Sequence, residues 1–570
     1  MLKGSKIPGI MLAIGLLCLQ QAYSQRMFVN SRVNTAQFKS ANSAKARIIE
    51  NFQLRSKTSV VDLFTFNPDV LQDSSFVLNV FPGTMLTVTK DEVEQRGKTD
   101  FSWHGHIQGA KDKEGSLVLV FMDGHLSGNL NYREKNYALH PMGKGMFAIY
   151  EIDTRKFPRE DAPGPNDKVL TVPTAGVTNL TASSVTPSCN LRILVVFTPE
   201  AETNIINSLG YPNIQQFAQQ AIAESNQGFL NSNVSYRMEL GAAIRTNYTE
   251  SGDYNTDISR FVGTTDGYMD EIHTYRNLYS ADESVLIFNN NAYCGLADAI
   301  QASATTAFCV VHYECALGYY SFGHELAHLS GCRHDPQTDP TTTPYAYGHG
   351  YVYSAGGWRT IMAYNINGET RLQYYSNPTI TYGGVPMGTT TVSYNAKVLN
   401  QTIGTVAGFR SAPSTLTLDN TASLTNYETG DAQAVTSITM NPGFEVSGGS
   451  TLNAYIKSCT DLVNGSSVTT TGQTVTDANT LDDQNSNKSN TLHIYPDPSS
   501  GLIYIAAGEL TMTNSVITVN DQLGRQVYLS HNDIDKNTIT LDLSFLADGV
   551  YYIQIKNSTS TVTKKVVISK

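Results

Sequence analysis

Charge is what this chain has least of. Asp, Glu, Lys and Arg make up 16% of its 570 residues, against roughly 25% in an average soluble protein. Basic residues are the scarcer kind, 39 against 50 acidic, for a net charge of -11. That excludes nucleic acid as the main partner, because binding phosphates needs Lys and Arg in excess. Cysteine is scarce too, at seven residues, too few for a small disulfide scaffold. Beyond residue 19 no apolar run is long enough to cross a bilayer, so no transmembrane segment is expected in the mature protein. What is abundant is hydrophobic residues, 41%, which excludes a mostly disordered chain. The length exceeds what one core fills, so several domains are expected.

The N-terminus sets the compartment. Lys3 and Lys6 precede an apolar run over residues 7–19, and Ala22 and Ser24 form a small-x-small site. This is the pattern of a secretory signal peptide, with cleavage expected between Ser24 and Gln25. The mature chain loses Lys3, Lys6 and Cys18. Six cysteines remain (7 minus 1) and the net charge becomes -13 (-11 minus two Lys). In an exported protein those six are expected to pair.

Residues 25 to about 150 alternate apolar and polar residues between glycine turns, with strands expected over 116–121, 122–125 and 146–150. Prolines at 158, 163, 165, 173 and 187 punctuate a linker, and Arg155, Lys156 and Arg159 offer basic sites to a processing protease. From Cys189 to about Arg410, strands are expected at 191–197, 284–288 and 307–312. A helix is expected over 214–229, where Phe217, Ala221, Ile222 and Phe229 share a face. Strands alternating with helices imply an α/β layer structure. Residues 413–470 read as short strands and 471–490 as a flexible linker. The last 80 or so residues alternate again, as in a small all-β sandwich.

The chemistry lies at 324–335. His324 and His328 stand four apart, on one face of a helix, where both imidazoles reach one ion. Glu325 is close to that ion but free to hold a water. Gly331 lets the chain double back, and His334 supplies a third nitrogen. Three neutral imidazoles with an open position make a catalytic Zn2+ site. Some thirty residues on, Met362 in Thr360-Ile-Met-Ala-Tyr364 stands where a Met-turn would floor the histidines.

The region from Asn190 to Arg410 resembles the reprolysin-like metzincin zinc endopeptidases, most closely the bacterial peptidyl-Asp metalloendopeptidases. The matching stretches are 193–199, 294–297, 324–335, 358–364, 376–378 and 406–410. Residues 25 to about 150 resemble a reprolysin propeptide, with Trp103-His-Gly-His106 and Met122-Asp-Gly-His125. It carries no cysteine, so a cysteine switch is excluded. Its His104, His106 and His125 read as ordinary strand residues. Residues 427–459 resemble a small β module of Bacteroidetes surface proteins. The terminus resembles a type IX secretion C-terminal sorting domain, with landmarks at 495–501, 521–525, 541–544, 549–553 and 565–568.

The fold class implied is multidomain: an α/β metzincin catalytic domain preceded by a β-rich propeptide and followed by two small all-β modules. The expected division is signal 1–24, propeptide and linker 25–187, catalytic domain 188–412, small β module 413–470, linker 471–490 and sorting domain 491–570. The implied protein is a secreted or cell-surface zymogen, exported through the periplasm and outer membrane by the type IX machinery, that cleaves protein or peptide substrates. Glu325 is the expected general base, and Tyr364 a candidate fifth ligand or oxyanion stabiliser. Arg359 or Arg371 is the candidate for favouring acidic residues after the scissile bond. A substrate strand is expected to pair along 307–312. Ca2+ is a second candidate ion by resemblance. Cys189, Cys294, Cys309, Cys315, Cys332 and Cys459 are the disulfide candidates. Cys332 is expected to brace the zinc loop through Cys294, Cys309 or Cys315, and Cys189 with Cys459 is one cross-module option.

Overall fold

The computed structural model describes residues 26–97, 99–109, 115–160 and 190–456, and strands with short stretches between 493 and 568. The expected signal peptide, the linker 471–490, Cys189 and Cys459 lie outside the described residues. The chain forms two compact units, divided between Ala478 and Asn479.

The first unit opens with a nine-stranded antiparallel sheet. Its strands are β1 (Val29–Val33), β2 (Asp62–Phe66), β3 (Ser75–Phe81), β4 (Thr84–Gly97), β5 (Asp100–Ile107), β6 (Gly115–Met122), β7 (His125–Tyr132), β8 (Lys135–Pro141) and β9 (Met146–Glu151). Helices α1 (Thr35–Ala41) and α2 (Ser43–Arg55) interrupt it between β1 and β2. Alternation along β3, with Phe76, Leu78 and Val80 inward, is what a sheet with one buried face requires. Those residues join Phe28, Trp103, Leu117 and Phe147 in a core of the sheet's own.

The catalytic layer is a mostly parallel sheet. β10 (Leu191–Phe197) pairs in parallel with β11 (Met238–Arg245) and β12 (Glu283–Phe288), and β12 pairs in parallel with β14 (Phe308–His312). Every residue of β10 is buried, as expected of a central strand covered on both faces. The short β13 (Gly295–Ala297) runs antiparallel to β14 and closes that end of the sheet. The edge open to a substrate is therefore β13, not the 307–312 strand, which is paired on both sides.

Helices α3 (Pro199–Leu209), α4 (Ile214–Asn231), α5 (Tyr254–Val262) and α6 (Glu271–Leu278) connect these strands. In α4 every residue except Leu230 is buried. Its apolar face, Phe217, Ala221, Ile222 and Phe229, belongs to the catalytic core. Its polar face meets the N-terminal sheet through hydrogen bonds. Gln216 donates to Ser127 Oγ at 3.2 Å, Asn226 to Glu94 Oε1 at 2.7 Å, and Gln227 Oε1 lies 3.1 Å from His104 Nδ1. Two short helices, α7 (Tyr313–Ala316) and α8 (Ser321–Leu329), follow β14, and α9 (Asn395–Val406) packs against the same core.

One expectation changes here. Residues from 413 onward do not stand apart as a separate β module. Strand Thr429–Ala434 pairs antiparallel with β11, and strand Thr451–Ile456 pairs with it in turn, so both extend the catalytic sheet. Leu416, Leu418, Leu424 and Ala432 pack into one core with Leu194, Val196 and Leu286. An alternating strand leaves its partner edge open to choice, and the bare edge of β11 offers unpaired backbone groups.

The second unit is all β among its described residues. One sheet has the strands His493–Tyr495, Leu502–Ala506 and Thr538–Asp542. The other has Gln526–Asn532, Ser515–Asp521, Gly549–Lys556 and Thr561–Ile568. Ile503, Ile505, Ile517, Val519, Leu541 and Ile553 are buried together between them. No helix among the described residues is long and apolar enough to cross a membrane.

Candidate metal centre

Helix α8 is wholly buried. It carries His324 and His328 one turn apart. The helix ends at Gly331, which adopts φ +104°, a conformation that a Cβ makes costly. The N–H of Gly331 bonds His328 O and that of Cys332 bonds Ala327 O, at 2.8 and 2.9 Å. The chain turns back and delivers His334. The three Nε2 atoms converge to separations of 2.9–3.1 Å.

The outer nitrogens decide what the inner ones can do. His324 Nδ1 lies 2.9 Å from Ile361 O, and His328 Nδ1 lies 2.8 Å from Cys332 O. His328 Nδ1 donates to Cys332 O, so that neutral ring keeps a lone pair on Nε2, while His324 Nδ1 lies between Ile361 O and the Arg371 Nη2, 2.6 Å away. Burial holds all three imidazoles below their ordinary pKa, His328 at about 4. Three neutral imidazoles whose Nε2 atoms converge at this distance can hold a cation between them. Imidazole nitrogens in this number suit zinc.

The segment around Met362 meets the zinc loop through Tyr364. Met362 is fully buried in the core. Asp335 Oδ2 accepts from the Tyr364 N–H at 3.0 Å, tying the zinc loop to that turn. The Tyr364 ring packs against His334 with centroids 4.3 Å apart and planes tilted by 43°. Its hydroxyl donates to the backbone oxygen of Glu160 at 2.9 Å. Glu325 is 2% exposed, and its side chain lies against Gly295 of β13.

The two arginines separate. Strands Trp358–Arg359 and Thr370–Arg371 pair in parallel and set both side chains on one sheet. Arg359 donates to Ala363 O and to the Tyr319 hydroxyl. Arg371 donates through Nε to Ile361 O at 2.8 Å, the carbonyl that also orients His324. Through Nη1 it donates to Tyr319 O and pairs with the Glu160 carboxylate. Glu160, His324 and Glu325 offer ligand atoms within 4.8 Å of one another.

The cysteines differ from expectation. Cys294 and Cys315 form a disulfide, while Cys309 and Cys332 are free and buried. Cys332 therefore does not brace the zinc loop by a disulfide. The helix-ending turn and Asp335 hold that loop instead. Among the described residues, the clusters of His, Cys, Asp and Glu with metal spacing are the three histidines and the Glu160 group, and neither is an oxygen-rich calcium site. Sequence reasoning missed Glu160 and Gly295. No motif marks the former, and a glycine beside Cys294 signals only that some close approach is permitted.

Two regions of the chain match known families. Residues 190–376 match the model for metallo-peptidase family M12, and 493–569 match that for a secretion system C-terminal sorting domain. A peptidyl-Asp metalloendopeptidase of Stenotrophomonas maltophilia (strain K279a) is 46% identical over 347 residues, 58% of this chain and 81% of that protein. One from Xanthomonas campestris pv. campestris is 42% identical over 344 residues, 58% of this chain and 80% of that one. One from Pseudomonas fragi is 44% identical over 189 residues, 33% of this chain and all 100% of it.

Proposed function

Because the chain belongs to metallopeptidase family M12 and is a zinc metalloendopeptidase, we propose that His324, His328 and His334 hold the zinc, that Glu325 is the general base, and that Arg371 selects an acidic residue after the scissile bond. The observation that carries the reading is the convergence of three neutral Nε2 atoms beside Glu325, with a buried guanidinium behind His324. Zinc bound there lowers the pKa of a coordinated water to about 7 and polarises a carbonyl.

The protein's own groups supply the rest. A substrate strand lies along β13, where the Cys294 N–H, which bonds Arg159 O at 3.0 Å, donates to a substrate carbonyl. Glu325 takes the proton of the attacking water and passes it to the departing amine. The Tyr364 hydroxyl, once released from Glu160 O, donates to the developing oxyanion. Met362 excludes water beneath the histidines. Arg371 meets the substrate carboxylate with a charge-assisted hydrogen bond, which agrees with the relatives' name, peptidyl-Asp metalloendopeptidase.

The N-terminal region is read as the propeptide of a zymogen. Support comes from the polar face of α4, whose Gln and Asn side chains can exchange the N-terminal sheet for water at little cost. The C-terminal match supports type IX export, with passage through the periplasm and outer membrane followed by release or surface attachment. The test of the enzymatic reading is cleavage of a peptide library by the processed protein. Asp or Glu is expected after the scissile bond, and Arg371→Gln is expected to lower kcat/KM for acidic sites at least tenfold more than for neutral ones. A library cut without acidic preference overturns the specificity. Unchanged proteolysis by Glu325→Ala overturns the mechanism.

A further inference from the structure

The segment Phe157-Pro158-Arg159-Glu160 runs through the cleft on a set of specific contacts. The Phe157 ring stacks on Tyr319, with centroids 4.5 Å apart and planes at 4°. Arg159 O accepts from the Cys294 N–H of the substrate edge at 3.0 Å. Glu160 O accepts from the Tyr364 hydroxyl at 2.9 Å. The Glu160 side chain, 5% exposed, puts Oε1 on Ser321 Oγ at 2.6 Å and on Arg371. Its Oε2 is buried with no hydrogen-bond partner. A buried carboxylate beside Glu325 costs free energy unless a cation compensates it, and Arg371 is that cation.

We infer that Glu160 is a built-in occupant of the acidic-side-chain pocket. Its carboxylate stands on Arg371 and Ser321 where the side chain of an acidic substrate residue would stand, and so keeps the cleft closed in the uncut chain. This rests on the pocket assigned to Arg371 above. The carboxylate bonds Arg371 and Ser321 directly, and it acts through the guanidinium. The carbonyl before Glu160 is engaged by the Cys294 N–H and its own carbonyl by Tyr364. The segment is thus held as an inhibitor would be. Separation of the segment frees Ser321 Oγ, Arg371, Tyr364 and the Cys294 N–H together, and the last three are groups the proposed reaction uses.

Two measurements test this. The first uses the full-length, zinc-loaded chain silenced by Glu325→Ala, and reads binding of a fluorescent Asp-containing peptide by anisotropy. With Glu160 intact only weak binding is expected. With E160Q or E160A, dissociation constants at least tenfold lower are expected, at unchanged zinc content and melting cooperativity. Equal binding with and without Glu160 overturns the proposal. The second does not need a variant of the chain at Glu160 to fold. A synthetic peptide of residues 154–162 is expected to inhibit the processed enzyme competitively, and Glu160→Gln in that peptide to raise the inhibition constant at least tenfold. The rise is expected to vanish against the Arg371→Gln enzyme. Equal inhibition by both peptides overturns the proposal, as does an effect that persists without Arg371. If the processed enzyme lacks acidic preference while the peptide effect remains, the specificity reading fails and the latch stands. If the preference holds and the effect is absent, only the latch fails.

Discussion

Gly295 on the edge strand and Glu325 on the active-site helix touch so closely that no side chain fits between them. A Cβ built on Gly295 would stand 2.5 Å from Glu325 Oε1 and 2.7 Å from its Cδ. The strand that would align the substrate therefore also fixes the carboxylate of the base. Gly295→Ala is expected to push Glu325 aside and lower kcat roughly 10- to 100-fold, since displacements near 1 Å cost that much. Zinc content should stay at wild-type level, measured by metal analysis beside steady-state kinetics. Unaltered kcat would separate Glu325 from the chemistry.

Metal removal should act on stability as well as activity. Three buried imidazoles whose Nε2 atoms converge lose the ion they would hold, and a ligand bound only by the folded state stabilises it by mass action. A chelator is expected to lower the melting temperature of the full chain, and zinc to restore it. His334→Ala should abolish both the zinc response and proteolysis.

Arg359 and Arg371 should divide by role. Arg359 is 1% exposed, and its guanidinium donates to Ala363 O and the Tyr319 hydroxyl. Arg359→Ala is expected to destabilise the protein by roughly 2–4 kcal/mol, through partners left unsatisfied and packing lost, and to leave the acidic preference of the surviving activity intact. Urea unfolding read alongside the library profile checks both halves.

Glu224 gives a pH dependence with a definite sign. It lies buried in α4, where burial pushes its carboxyl up from 4.5 to about 7 against the opposing help of Gln220 and the Gly318 N–H. Between those values the folded chain holds a proton that the unfolded chain has released. Stability therefore falls as pH rises through that window. Glu224→Gln removes this slope. The variant should gain on the order of 1–3 kcal/mol over wild type at pH 8 and little at pH 4.5, read from urea midpoints of the full chain.

The strands beyond 413 give a truncation test. A chain ending at 456 keeps Thr429–Ala434 on β11, where Arg192 also donates to Asp431 O. A chain ending at 412 bares that edge and the apolar residues packed with Leu416 and Leu418. The shorter chain is expected to melt several degrees lower and to aggregate. Equal melting temperatures would make the region a separate module after all.

Much of the centre is legible because its grammar is local. Residues four apart on a helix share a face whatever surrounds them, so spacing alone announces His324 and His328. A glycine in the left-handed region then announces the turn that returns His334. Strand periodicity is local in the same sense, and β10, β12 and β14 appear where alternation or unbroken apolar runs call for them. Arg371 could be singled out as a charge near the Met-turn, but so could Arg359, and nothing in their neighbouring residues distinguishes them.

The remainder depended on long-range packing. Glu160 and Arg371 are separated by 211 positions. Their pairing exists only because the N-terminal sheet lies on the polar face of α4 and its last segment threads the cleft. The strands after 413 carry the alternation of an independent module, yet they complete the catalytic sheet, because period 2 specifies a strand and a buried face but not the neighbour that supplies the hydrogen bonds. Cys294 found Cys315 and not Cys332 for the same reason. Reach in space, set by the turn after β14, decides which thiols meet, and no count of cysteines along a chain contains it. Composition and spacing thus determined that a buried zinc-type site exists and which side chains build it. Tertiary structure decided what shares that site with them, because contacts between distant segments are energies of a folded arrangement and leave no period in the chain.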